Sequence, residues 1–116
     1  MSKIKIKTKE KTRENTIFEG YGIKTDNKLI YYDKQDKTEV IMHDTKIELT
    51  RSTNDSILDL NLDPIQPDAT YKIKDQGTIN LPISNVKIKQ KETELTLQYQ
   101  IDHEKFEIEI EYQVIE

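Results

Sequence analysis

Arg51 is the side chain in this sequence best suited to chemistry. Only two of the eighteen basic residues are arginine. Arg51 follows Ile47 and Leu49 at two-residue spacing, so in an extended strand its guanidinium points the same way as those apolar groups. A planar guanidinium at a barrel mouth would grip a carboxylate or phosphate through two parallel hydrogen bonds. Glu19 stands in a similar relation to Ile17, Tyr21 and Ile23. Tyr21, Tyr71 and Tyr99 offer apolar rings with polar tips, which suit the wall of a small-molecule cavity. Arg51, Glu19, Tyr71, Tyr21 and Tyr99 therefore form the candidate binding set. The ligand they fit is small and amphipathic or anionic. A competing reading uses the same residues structurally. Inward charges usually pair, so Glu19 and Arg51 would satisfy each other, or Arg51 would reach solvent at a strand end, and the tyrosines would pack as core.

No catalytic or metal-binding constellation accompanies this set. His43 and His103 are the two histidines, each beside an aspartate, Asp44 and Asp102, in a turn-like context. Imidazole is the side chain suited to proton transfer near neutral pH, but no further ligands occur at metal-binding spacing. There is no cysteine, which removes thiolate chemistry and disulfides. The three glycines, Gly20, Gly22 and Gly77, do not form a phosphate-cradling loop. The expectation is a protein that is not an enzyme and uses no cofactor.

The elements that must hold these residues are strands. Ile4 and Ile6 alternate with Lys3, Lys5 and Lys7; Leu95, Leu97, Tyr99 and Ile101 form one stripe, and Phe106, Ile108, Ile110, Tyr112 and Val114 another. This period-two alternation runs nearly end to end, with shorter runs such as Leu29-Ile30-Tyr31-Tyr32 and Leu58, Leu60, Leu62 between. Turn residues separate the runs at Asp26-Asn27, Lys34-Gln35-Asp36, His43-Asp44, Thr53-Asn54-Asp55, Asp75-Gln76-Gly77, Ser84-Asn85 and Asp102-His103. The two prolines of Asp63–Asp68 mark a loop, and Pro82 marks an edge, bulge or bend. Gly20 and Gly22, two apart, predict a bent strand or a close backbone approach. The reading is all-β: one domain over 1–116, an antiparallel up-and-down β-barrel or a sandwich.

Charge bears on how such a sheet is arranged. Lys3, Lys5, Lys7 and Lys9 share one face of the first strand, and Glu107, Glu109 and Glu111 share one face of the last. Pairing of the two strands would set a basic row beside an acidic one and would remove two sheet edges. Simple solvation of both rows is the alternative.

Composition excludes several classes. With 116 residues and a net charge of -4, the chain supports one core and lacks the basic surface that nucleic acid requires. No apolar run approaches the roughly 18 residues of a membrane span, and Met1–Lys5 lacks the apolar run of a signal peptide. No membrane or nucleic-acid partner is expected, and the expected location is cytoplasmic.

Several stretches occur in a familiar order: Phe18-Glu19-Gly20, the run KLIYYD from Lys28, the run IELTRS from Ile47, Tyr71 ahead of Gly77-Thr78-Ile79-Asn80-Leu81, and the alternating strands Glu94–Ile101 and Phe106–Val114. Together they resemble the YwiB-like proteins of bacteria, small calycin-like β-barrels of unknown function. The family's Thr-Pro-Tyr-Gly turn is replaced here by Lys74-Asp75-Gln76-Gly77, and without tryptophan the broader lipocalin Gly-x-Trp signature is absent. The resemblance implies a calycin- or lipocalin-like antiparallel barrel of about eight or more strands. Other calycins hold small apolar ligands inside, an analogy at the level of fold.

Two functions are consistent with these features. The first is a non-enzymatic binding barrel for a small amphipathic or anionic ligand. The second is a structural or protein-interaction module with a filled barrel, a homodimer being one form. The second predicts an exposed apolar patch or an unpaired edge to which Ile30 and Tyr32, or Ile41, contribute.

Overall fold

A computed structural model describes residues 1–115. Eleven strands form one antiparallel sheet: β1 (Ser2–Glu10), β2 (Asn15–Thr25), β3 (Lys28–Asp33), β4 (Asp36–Met42), β5 (Ile47–Ser52), β6 (Ser56–Leu62), β7 (Asp68–Ile73), β8 (Gly77–Asn80), β9 (Ile83–Gln90), β10 (Glu94–Ile101) and β11 (Glu104–Val114). Their spatial order is β8-β7-β6-β5-β4-β3-β2-β1-β11-β10-β9. The sheet is a strongly curled half-barrel of the up-and-down type. No helix of the described residues is long and apolar enough to cross a membrane.

The alternation read from the sequence becomes an inner and an outer face. Ile4, Ile6, Leu29, Val40, Ile47, Leu62, Leu95, Leu97 and Ile110 are fully buried. The inner face is graded in polarity. Towards one end of the interior the same phase carries Thr8, Glu10 and Thr38, all buried.

Left-handed backbone at Asp26, Lys34, Asp75 and Asp102, together with Gly77, marks four of the expected turns. Asp and Gly tolerate this conformation locally. Ser84-Asn85 differs from expectation. β9 runs through both residues, and Asn85 takes its positive φ inside a bulge where the β9–β10 register shifts.

β1 and β11 pair as the charge rows predict, with Lys7 opposite Glu111 and Lys9 opposite Glu109. This pairing places the N-terminal strand inside the sheet, so the free edges fall on β8 and β9 instead. Both edges are guarded. β8 is four residues long, and β9 carries a bulge and the exposed Lys87 and Lys89. The link between them ties down both sides of the opening: the Leu81 amide donates to the Ala69 carbonyl of β7, and the Pro82 carbonyl accepts from the Asp102 amide. Pro82 thus sits at a bend between strands.

β2 runs along β1 for nearly its whole length but pairs with β3 only over Gly22–Thr25 and Lys28–Tyr31, which makes a corner of the sheet there. A methyl group on Gly22 would come within 2.5 Å of the Ile30 carbonyl oxygen. Glycine is therefore what lets β2 approach β3 this closely. Ile4 and Ile6 of β1 lie opposite Gly22 and Gly20, and the Phe18 ring lies back over Gly20.

Candidate functional site

That packing decides where two of the expected binding residues go. The inner face of β2 is Phe18, Gly20 and Gly22, so Glu19, Tyr21 and Ile23 point outward and are exposed. The sequence phase of Glu19 and Tyr21 favours the core because Ile17, Tyr21 and Ile23 are the bulky set. In the folded chain, the stacked rings of Phe18 and Tyr31 take the inner side beside the glycines instead. Glu19 pairs with Lys7 at 3.9 Å on the outer face, far from any partnership with Arg51.

Arg51 does keep the inner phase, but at the end of β5. It lies opposite Thr38 on one side and Leu58 on the other, and Nη2 stands 3.5 Å from Oδ2 of Asp36. Both side chains are more than a third exposed. Tyr71 follows in the same cross-strand row, opposite Leu58, so the fold brings Arg51 and Tyr71 within two strands of each other. Tyr99 belongs elsewhere. It lies on β10, stacked on Phe106 of β11 with ring centroids 5.2 Å apart. Burial, and then the charge of Glu10, push its phenol up to about 12.

The histidines occupy turn positions. His43 Nε2 lies 2.6 Å from Oε2 of Glu48, and His103 is exposed in the β10–β11 turn. Among the described residues no group of three acidic or histidine side chains is placed to hold a metal ion.

Two clefts stand out. The first lies on the outside of the β2–β3 corner and has a volume of about 630 Å³. Tyr21, Ile23, Ile30 and Tyr32 form its walls, and Lys3 lies at its margin. Tyr21 is 61% exposed and Tyr32 58%, which is high for large rings on adjacent strands. Lys3 places Nζ 5.1 Å from the centre of the Tyr21 ring, within cation–π range. Glu39, opposite Ile30, is held below the usual carboxylate range chiefly by its hydrogen bond to Lys28, assisted by Lys37 and opposed by burial. Lys28 is thereby committed at 2.9 Å. The expectation of an exposed apolar patch around Ile30 and Tyr32 matches this corner. Ile41 is half-buried and lies outside the cleft.

The second cleft, of about 510 Å³, opens where β1 enters the β1–β2 hairpin. Glu10, Arg13, Asn15, Tyr99, Phe106 and Ile108 are among its lining residues. Glu10 is 8% exposed, and its Oε1 accepts the Thr12 amide at 2.7 Å. Sequence reading passed over Glu10 because it sits in a run of charges. The legible signal was its phase: Ile4, Ile6, Thr8 and Glu10 alternate in one register, which places an acid on the core side.

No family model matches the chain, and no curated protein matches it. Among solved structures, the fold is similar to the crystal structure of the YwiB protein from Bacillus subtilis. The TM-score is 0.57 at 19% sequence identity, over 97% of this chain and 89% of that one. This likeness supports a YwiB-like fold.

Proposed function

We propose that the chain is a cytoplasmic, non-enzymatic binding protein of the calycin-like barrel type, and that it takes a small amphipathic anion on the outside of the β2–β3 corner. One observation carries the reading: the 630 Å³ cleft walled by Tyr21, Ile23, Ile30 and Tyr32, with Lys3 at its margin. Its volume falls within the range of small-molecule sites, about 300–1,000 Å³. Its walls are apolar and exposed, so a hydrocarbon chain laid there would remove them from water. The Lys3 ammonium supplies the charge that Arg51, occupied by Asp36, was expected to supply.

Octanoate tests the proposal, with octanol as its uncharged comparator. Octanoate is expected to saturate the tyrosine fluorescence change at lower concentration than octanol. Tyr32→Ser is expected to weaken binding about tenfold, and Lys3→Ser to erase the preference for the carboxylate. Unchanged binding in Tyr32→Ser overturns the reading. The same exposed rings favour one alternative occupant, a second copy of this chain. Light scattering that shows a dimer dispersed by Tyr32→Ser would establish that instead.

A further inference from the structure

The cleft at the β1–β2 hairpin carries a separate inference, independent of the outer corner. We infer that it is a binding site for an organic monocation, an alkylammonium or quaternary ammonium group, held between the Glu10 carboxylate and the rings of Tyr99 and Phe106.

The argument begins with Glu10. Glu10 sits on the inner phase of β1 with little residue surface exposed, and a carboxylate so placed gains from a neighbouring cation. Among the described residues no lysine, arginine or histidine nitrogen lies within 4.0 Å of it. One backbone amide, that of Thr12, donates to Oε1. The residue also lines an open cleft, so a ligand can reach it from solvent.

The neighbouring side chains specify what kind of cation. Tyr99 and Phe106 lie opposite each other across the β10–β11 pair, and their rings stack 20° from parallel. Ile108, opposite Glu10 across β1 and β11, adds an aliphatic wall. The stacked pair covers one face of each ring and Tyr99 is buried, so the half-buried Phe106 is the more accessible ring. Beside a carboxylate it suits a bulky, weakly hydrated ammonium. A small hydrated metal ion would require several converging oxygens, and no such group exists among the described residues. Arg13 also lines the cleft, but Glu104 neutralises it in an ion pair. Glu10 and Tyr99 line the same cleft, consistent with the Glu10 charge being the second cause, after burial, that raises the Tyr99 phenol.

The test compares choline with its uncharged carbon isostere, 3,3-dimethyl-1-butanol, on the full chain by NMR. Choline is expected to produce saturable shifts centred on the ring protons of Tyr99 and Phe106, with affinity about tenfold above the isostere. Glu10→Gln is expected to abolish that preference while retaining the native spectrum. If Glu10→Gln does not fold, Phe106→Leu serves in its place and is expected to weaken choline about fivefold. Equal affinity for the two probes overturns the inference. So do shifts centred on Tyr21 and Tyr32, or a failure of choline to saturate in the millimolar range.

Discussion

Lys7 lies directly across the β1–β11 pair from Glu111, and the row continues to Glu19 on β2 and Glu94 on β10. One lysine therefore stands among three acids on a single outer row. Lys7→Glu would make all four positions acidic and is expected to cost about 1 kcal/mol. Adding Glu111→Lys restores one alternation and should recover about half of the loss. A urea double-mutant cycle at low salt measures the coupling. Strict additivity would show that the rows are merely solvated.

Gly22 and Gly77 have opposite reasons for being glycine, and substitution separates them. A Cβ at Gly22 collides with backbone at 2.5 Å, where nothing flexible can yield. Gly22→Ala is expected to cost about 2–3 kcal/mol by forcing β2 from β3. Gly77 has open space around it but a φ of +103°, so Gly77→Ala should cost about 1 kcal/mol through backbone strain alone. Urea midpoints rank the two. The reverse order would mean that the corner is not set by Gly22.

Much of this architecture is legible in the sequence because strand periodicity is a local property. Leu95, Leu97 and Tyr99 announce an inner face without reference to any other strand, and the paired charge rows even disclose that β1 meets β11. The face of β2 is not local. Ile17, Tyr21 and Ile23 are larger than Gly20 and Gly22, so bulk points to the wrong side. The decision is made by packing on the inner face, where the Phe18 ring lies over Gly20 and Tyr31 and the Ile30 backbone crowd Gly22. Glu19 and Tyr21 were misplaced for that reason. The outer cleft follows in part from the same inversion: Tyr21 and Ile23, which bulk assigns to the core, join Ile30 and Tyr32, where an exposed apolar patch is expected.

Arg51 serves as an ion-pair partner at a strand end. Arg51→Ala and Asp36→Ala are each expected to cost under about 1 kcal/mol, because both groups are well exposed and water screens the pair. The double variant should cost no more than the larger single effect. Octanoate affinity should be unchanged in Arg51→Ala. A loss of binding there would move the site from the outer corner to the inner face.

Tyr99 makes stability depend on alkaline pH, and the sign follows from its raised pKa. Below about pH 10 the phenol is protonated in both folded and unfolded chains, and its contribution is fully present. Between about pH 10 and the folded value of about 12, the unfolded chain releases the proton and the folded chain retains it. Stability must therefore fall as pH rises through that window. Tyr112, raised by burial and by Glu92, acts in the same direction. Tyr99→Phe removes the larger share, so its urea midpoint should decline less steeply from about pH 9 to about pH 11 than that of the parent chain. Lysine titration is common to both proteins and cancels in the difference. Parallel declines would mean that the Tyr99 phenol meets water freely, and the dry wall it offers beside Glu10 would be lost with it.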